Sequence, residues 1–272
     1  MSSFTHFAYW IHDWDPFLIQ WSENWGIRYY GVAYLLGFLA VFFGLRWFYR
    51  KGWSEIHPDK VGDLLTWAVM GTLIGGRMGY CLLYDWDATM RDPVSVIAFW
   101  RGGIEGMASH GGFCGVILAL WIFAKRNGYR LWPIYDNLSI WATPGFFFGR
   151  CANFINGELW GRPTEVPWAV IFPDAPLVGG RMVARHPSQL YEALLEGLLL
   201  FVILLFLRSK KPPVGVISGV FLSGYGCVRI IGEFFREPDH QQFLFAEVTR
   251  GQFFSVFLVL TGVVILGGAR KK

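Results

Sequence analysis

Along its length the chain alternates long apolar stretches with short polar ones. Seven stretches are apolar enough, and close enough to the roughly 20 residues a bilayer requires, to predict membrane-crossing helices: 31–49, 61–84, 107–124, 134–150, 190–207, 214–231 and 252–268. The fourth is interrupted by Asp136, Asn137 and Pro144, which a helix buried in a bundle tolerates and a lipid-facing one does not. Glycines recur inside the stretches at four-residue steps, as in Gly71, Gly75 and Gly79, in Gly111 and Gly115, and in Gly145 and Gly149. Small residues at that spacing let helices approach closely. The pattern predicts an all-α fold: one polytopic membrane bundle of seven transmembrane helices over residues 1–272, without an internal repeat or linker.

Composition points the same way. The chain is 54% hydrophobic, 18% aromatic and only 16% charged, which excludes disorder and argues against an ordinary soluble domain. The net charge of +4 conceals an asymmetry. Arg46, Arg50, Lys51 and Lys60 follow the first stretch; Lys125, Arg126 and Arg130 follow the third; Arg208, Lys210 and Lys211 follow the fifth; Arg270, Lys271 and Lys272 end the chain. All the lysines thus fall on one side, which the positive-inside rule makes cytoplasmic, with the N-terminus outside and the C-terminus inside. The opposite side carries Asp85, Asp87, Glu158, Glu165, Asp174, Glu237 and Asp239, and its basic residues are all arginine: Arg28, Arg91, Arg101, Arg162, Arg181, Arg185, Arg236 and Arg250. Arginine makes bidentate contacts to phosphate that lysine cannot; the alternative is that these arginines are structural. Trp10, Trp14, Trp21 and Trp25 make residues 1–28 an interfacial arm on the outer surface, with a soluble cap as the alternative. Residues 151–189 form an outer loop region. No basic face suits nucleic acid. The start of the chain lacks the basic head and cleavage site of a signal peptide. Cys81, Cys114, Cys151 and Cys227 have neither metal spacing nor the pairing of a disulfide framework.

Polar residues at membrane depth need a reason, because a charge there costs roughly 2.5–3.5 kcal/mol on insertion scales. The richest segment runs Gly-Arg-Cys-Ala-Asn-Phe-Ile-Asn-Gly-Glu-Leu-Trp-Gly-Arg from Gly149 to Arg162. Others are Arg28-Tyr29-Tyr30, Arg77 within the second stretch, Ser109-His110-Gly111-Gly112, the segment Arg185 to Glu192, and Tyr225 with Arg229, Glu233 and Arg236. Tyr225 and Arg229 are four apart and share a helix face. Arg150 and Arg229 end neighbouring parts of the bundle at one depth, where they repel unless a carboxylate or an anion joins them. Glu158 or Glu233 could do so from within the protein, and a lipid phosphate could do so from outside.

At these residues the chain resembles prolipoprotein diacylglyceryl transferase, an integral membrane enzyme family of bacteria. The resemblance runs from about Tyr29 to Gln252 and is carried by His110-Gly111-Gly112, the Gly149 to Arg162 segment, Arg185 to Glu192, and Tyr225 to Asp239. It implies transfer of the diacylglyceryl group from phosphatidylglycerol to the lipobox cysteine thiol of a preprolipoprotein, with a thioether formed and glycerol phosphate released. It implies a cell inner membrane location with the site toward the outer leaflet. By the same resemblance Arg150 contacts phosphatidylglycerol, Arg229 is a second essential arginine, and His110 and Tyr225 matter for activity. Tyr30, Asn153 and Gly161 match further sensitive positions, and Glu233 and Arg236 lie in the late motif. Ser109, Cys151-Ala152, the short segment between Arg162 and Arg185, and the first 28 residues depart from the family pattern.

The residues suit that chemistry. A thiol of pKa about 8.5 is a weak nucleophile until deprotonated, and the leaving phosphate gathers charge that fixed arginines stabilise. Arg150 and Arg229 are expected to clamp the lipid phosphate, His110, with Tyr225, to take or relay the thiol proton, and Tyr30, Asn153, Glu158 and Gly161 to line the headgroup. No metal or other cofactor is called for. The rival class is an anion or lipid transporter with Arg77, Arg150 and Arg229 along its path, and a third is a non-catalytic lipid-binding scaffold.

Overall fold

A computed structural model describes residues 9–23, 25–97, 106–237, 243–245 and 248–269; Arg101, Asp239, Arg270, Lys271 and Lys272 lie outside them. The described residues are mostly helical, 67%. It divides into two compact units, Met1–Val41 with Asp136–Lys272, and Phe42–Tyr135.

The first unit opens with the short strands β1 (Trp10–Ile11), β2 (Phe17–Ser22) and β3 (Trp25–Arg28), which run into α1 (Tyr29–Arg50). After α5 (Leu131–Trp141) and α6 (Thr143–Ile155) come β4 (Val170–Ile171) and β5 (Ala184–Arg185). The next long helix comprises α7 (Ser188–Glu192), a π-helical segment Ala193–Leu199, and α8 (Leu200–Ser209). Then follow α9 (Val216–Phe235), β6 (Phe243–Phe245), β7 (Val248–Thr249) and α10 (Arg250–Ala269). β2 and β3 form an antiparallel hairpin, while β1 pairs parallel with β4, and β4 antiparallel with β5. Strand pairing therefore ties the start of the chain to the region after α6. Trp10 and Trp14 pack on Phe154 at 6.0 and 5.6 Å between ring centres yet stay exposed, as do Trp21 and Trp25 in the hairpin.

Among the described residues, four helices are long and apolar enough to cross a membrane by length and composition: Tyr29–Arg50, Ser188–Ser209, Val216–Phe235 and Gly251–Ala269. Their large apolar side chains face outward, Phe206 at 65% and Val264 at 73% exposure, which water would penalise and lipid does not. The stretch at 134–150 is no single helix. It breaks at Ala142 between α5 and α6, where Pro144 lacks the N–H that would continue the ladder and the Thr143 hydroxyl donates to the Ile140 carbonyl at 2.7 Å. Helix α6 then continues five residues beyond Arg150. Asp136, an interruption in the apolar pattern, is buried and accepts from the Gly215 N–H at 2.7 Å, the Ser218 N–H at 2.9 Å and the Ser218 hydroxyl at 2.6 Å. A side chain of α5 therefore caps the start of α9, satisfying donors that the helix cannot. Small residues seam α9 to α10: a Cβ on Gly226 would lie 2.7 Å from the Ser255 carbonyl oxygen, and one on Gly262 would lie 2.2 Å from the Ser223 hydroxyl.

The second unit holds the end of α1, α2 (Val61–Leu83), α3 (Trp86–Arg91), α4 (Ser109–Asn127) and the start of α5. Its centre is the glycine seam expected from the four-residue steps. A Cβ on Gly75 would sit 2.3 Å from the Gly111 carbonyl oxygen, and one on Gly115 would sit 2.1 Å from that of Gly71, so α2 and α4 meet backbone to backbone. Arg77 fastens the segment between them: its Nε donates to Val96 O at 3.0 Å and its Nη1 to Gly106 O at 3.3 Å. This accounts for a charged residue in an apolar helix without a ligand.

Candidate active site

Helix α6 presents Arg150 and, three residues on, Asn153. The π segment brings Glu196 onto the face of Glu192; Gly197 allows this, since a Cβ there would meet the Phe147 Cβ at 2.5 Å. Arg150 Nη1 lies 2.9 Å from Glu192 Oε2, and its Nε and Nη2 donate to Glu196 Oε2 at 3.1 and 3.0 Å. From α9, Arg229 Nη1 donates to Glu192 Oε1 at 2.6 Å and lies 3.5 Å from Glu196 Oε1, and its Nη2 donates to Glu233 Oε1 at 2.5 Å. The Thr249 hydroxyl donates to Glu233 Oε2 at 2.9 Å. Arg236 Nη1 stands 4.0 Å from Glu192 Oε1. Three arginines thus face three glutamates, with the glutamates almost fully buried and the arginines slightly exposed.

This corrects one expectation. Arg150 and Arg229 are joined by a carboxylate, but it is that of Glu192, with Glu196 beside it. Of the two carboxylates that the sequence offered, Glu233 pairs with Arg229 and Glu158 contacts Asn153 instead. Glu196 was missed, although a glutamate four residues after Glu192 in an apolar run carries the signal: two buried arginines side by side demand carboxylates between them. Tyr225, one turn before Arg229, lies within electrostatic range of Glu196, Arg229, Arg150 and Glu192, its ring 5.2 Å from that of Phe146.

Beside the arginine–glutamate network is a second one, built on Asn153. The Asn153 amide donates to the Tyr30 hydroxyl and, at 2.8 Å, to Glu158 Oε1. The turn that carries Glu158 is tight: Gly157 has φ +65° and Leu159, not a glycine, φ +55°. Gln189 Nε2 holds it by donating to the Glu158 carbonyl at 2.6 Å, and the Ser188 hydroxyl by donating to that of Leu159 at 3.1 Å. Gly161 has a steric reason to be glycine. Its N–H donates to His186 O, it bridges to Arg236, and a Cβ would fall 2.5 Å from His186 O and 2.6 Å from Phe235 O.

The loop arginines divide. Arg185 is buried, with Nη1 donating to Gly161 O at 3.2 Å and to Glu237 at 3.1 Å, and Nη2 to Pro176 O at 2.8 Å; Arg162 Nε donates to Arg236 O at 3.1 Å. Both fasten backbone. Burial lowers the His186 pKa below the usual imidazole value, favouring the neutral ring 3.2 Å from the Tyr191 hydroxyl. His110 belongs to the other unit, where it is the second residue of α4 and exposed, next to the glycine seam.

Membrane-length apolar helices beside a buried, charge-balanced arginine–glutamate network define a helical membrane protein with a buried cluster of charge. Comparison with known proteins specifies the class further. The chain belongs to the prolipoprotein diacylglyceryl transferase family, whose model matches residues 16–267, beyond both ends of the sequence resemblance. It is 48% identical to the phosphatidylglycerol–prolipoprotein diacylglyceryl transferase of Rhodospirillum centenum, over 88% of this chain and 86% of that protein. The same-named protein of Idiomarina loihiensis is 42% identical over 95% of this chain and 94% of its own length. That of Solidesulfovibrio magneticus is 45% identical over 88% and 89%.

Proposed function

We propose that this protein transfers the diacylglyceryl group of phosphatidylglycerol to the lipobox cysteine of a preprolipoprotein, at the outer leaflet of a bacterial inner membrane. In this reading one membrane domain crosses the bilayer seven times, with the N-terminus outside. Family membership supports the reaction, and the transporter reading is not favoured. The observation that carries the residue roles is the shared Glu192 carboxylate, which holds Arg150 and Arg229 side by side. A guanidinium has five N–H donors; three carboxylate contacts on each arginine leave donors for a phosphate. The glutamates fix the guanidinium planes in advance, so little reorganisation is needed as charge grows on the leaving group.

The thiolate sulfur attacks the glyceryl carbon, a C–S bond forms, the C–O bond to phosphate breaks, and glycerol phosphate leaves with the electron pair. Arg150 and Arg229 stabilise that phosphate, with Glu233 and Arg236 completing the charge balance. The family resemblance assigns the thiol proton to His110 and gives Tyr225 a role in activity. Asn153, Tyr30 and Glu158 orient the headgroup, and Gly161 lets the surrounding backbone close in. Transfer from phosphatidylglycerol to a lipobox peptide is expected to fall at least a hundredfold in Arg150→Ala, the loss of one charge-stabilising donor set. Near-normal turnover in a correctly inserted Arg150→Ala protein would refute the clamp. Full activity of His110→Gln over a broad pH range would remove His110 as the base.

A further inference from the structure

We infer that His12, in the N-terminal segment, is a positioning residue for the headgroup turn, an inference that rests on the assignment of Asn153, Glu158 and Tyr30 to the headgroup. His12 is 6% exposed, and its Nε2 has no hydrogen-bond partner. A buried nitrogen without a partner costs about 1–3 kcal/mol, so the ring is held there by its shape. It lies between Phe154, edge to face at 5.5 Å, and Phe172 at 5.4 Å. Its backbone N–H donates to Ile171 O at 2.8 Å, where β1 pairs with β4. Its Nδ1–Cε1 edge meets Gly157: a Cβ on that glycine would lie 3.2 Å from His12 Nδ1 and 3.3 Å from Cε1.

Gly157 adopts a left-handed conformation and is followed by Glu158, which accepts from Asn153. Ser188 and Gln189 hold the turn from one direction by hydrogen bonds to Leu159 and Glu158. The His12 ring stands against the turn at Gly157. Without that ring the turn can relax into the space left, and Glu158 moves away from Asn153. The N-terminal segment, part of the region that departs from the family pattern, thereby becomes part of the substrate site without touching substrate.

The test is steady-state transfer by the full-length protein in mixed micelles, with the mole fraction of phosphatidylglycerol varied against a saturating lipobox peptide. His12→Ala is expected to raise KM for the lipid about tenfold, the size of one weakened hydrogen bond to a charged group, with kcat per folded protein unchanged. His12→Phe, which keeps a ring between Phe154 and Phe172, is expected to restore the native KM. A purely structural role would lower the folded fraction and the melting temperature while leaving KM alone; that outcome, or an equal KM rise in His12→Phe, overturns the inference. Asn153→Ala separates the two levels. If it leaves KM unchanged, the headgroup assignment itself fails; if it raises KM while His12→Ala does not, only the positioning role fails.

Discussion

Replacing Glu192 with glutamine tests the ionic network at the carboxylate it shares. The substitution keeps shape and removes one negative charge from a balanced set of three arginines and three glutamates. Glu192 is 1% exposed, and its oxygens lie 2.6 Å from Arg229 and 2.9 Å from Arg150. A glutamine oxygen can still accept from one arginine, but its amide N–H2 must face the other, donor against donor. Breaking a buried ion pair in this way costs about 3–5 kcal/mol, because a buried charge is left uncompensated. At about 2–4 °C per kcal/mol for a protein of this size, the melting temperature in detergent should fall by roughly 6–20 °C. The missing charge also makes a specific expectation about lipid: phosphatidylglycerol, whose phosphate supplies a negative charge, should stabilise Glu192→Gln more than it stabilises the native protein. The assay is thermal unfolding with and without phosphatidylglycerol, using a zwitterionic lipid as control. A melting temperature within about 2 °C of native, less than one kcal/mol on that scale, with no added lipid response, would refute the coupling of the two arginines through Glu192.

Two other predictions rest on packing and capping. Gly161→Ala places a methyl against two backbone carbonyl oxygens that cannot yield, so it should destabilise by about 1–3 kcal/mol and lower transfer, whereas Gly267→Ala, with nothing within 4 Å, should be neutral or slightly stabilising; equal melting temperatures would contradict the close-approach reading. Asp136→Ala strips three acceptor contacts from the start of α9 and should cost about 2–3 kcal/mol; thermal unfolding checks this, and a loss of kcat in the remaining folded protein would contradict its purely structural role.

The parts of this molecule that were legible in the sequence are those governed by local periodicity. Helix α2 and helix α4 follow from apolar length, and their contact follows from glycines four residues apart. The pairing of Arg229 with Glu233 follows from i,i+4 spacing. The break at Ala142 was foreshadowed by Pro144 and Asp136, but the sequence could not say that Asp136 caps a helix 79 residues away. Glu192 lay in a recognised segment, yet its partner arginines come from two other helices, and no local pattern couples α6, α7 and α9. Glu196 stands at a legible four-residue spacing from Glu192, but its apolar neighbours drew attention away from it. The two-residue strands β1, β4 and β5 were illegible because pairing between distant segments, rather than alternation, makes them strands. Arg77 and Arg185 resembled ligand-binding arginines by charge alone; what assigns them to structure is the carbonyl oxygens they reach.

The central claim is tested most directly by incubating the purified protein with phosphatidylglycerol vesicles and a lipobox peptide, then measuring both products. The account predicts a thioether-linked diacylglyceryl peptide and one glycerol phosphate released for each one formed, with both lost in Arg150→Ala. Lipid binding or movement across the bilayer with the peptide thiol left unmodified would contradict it.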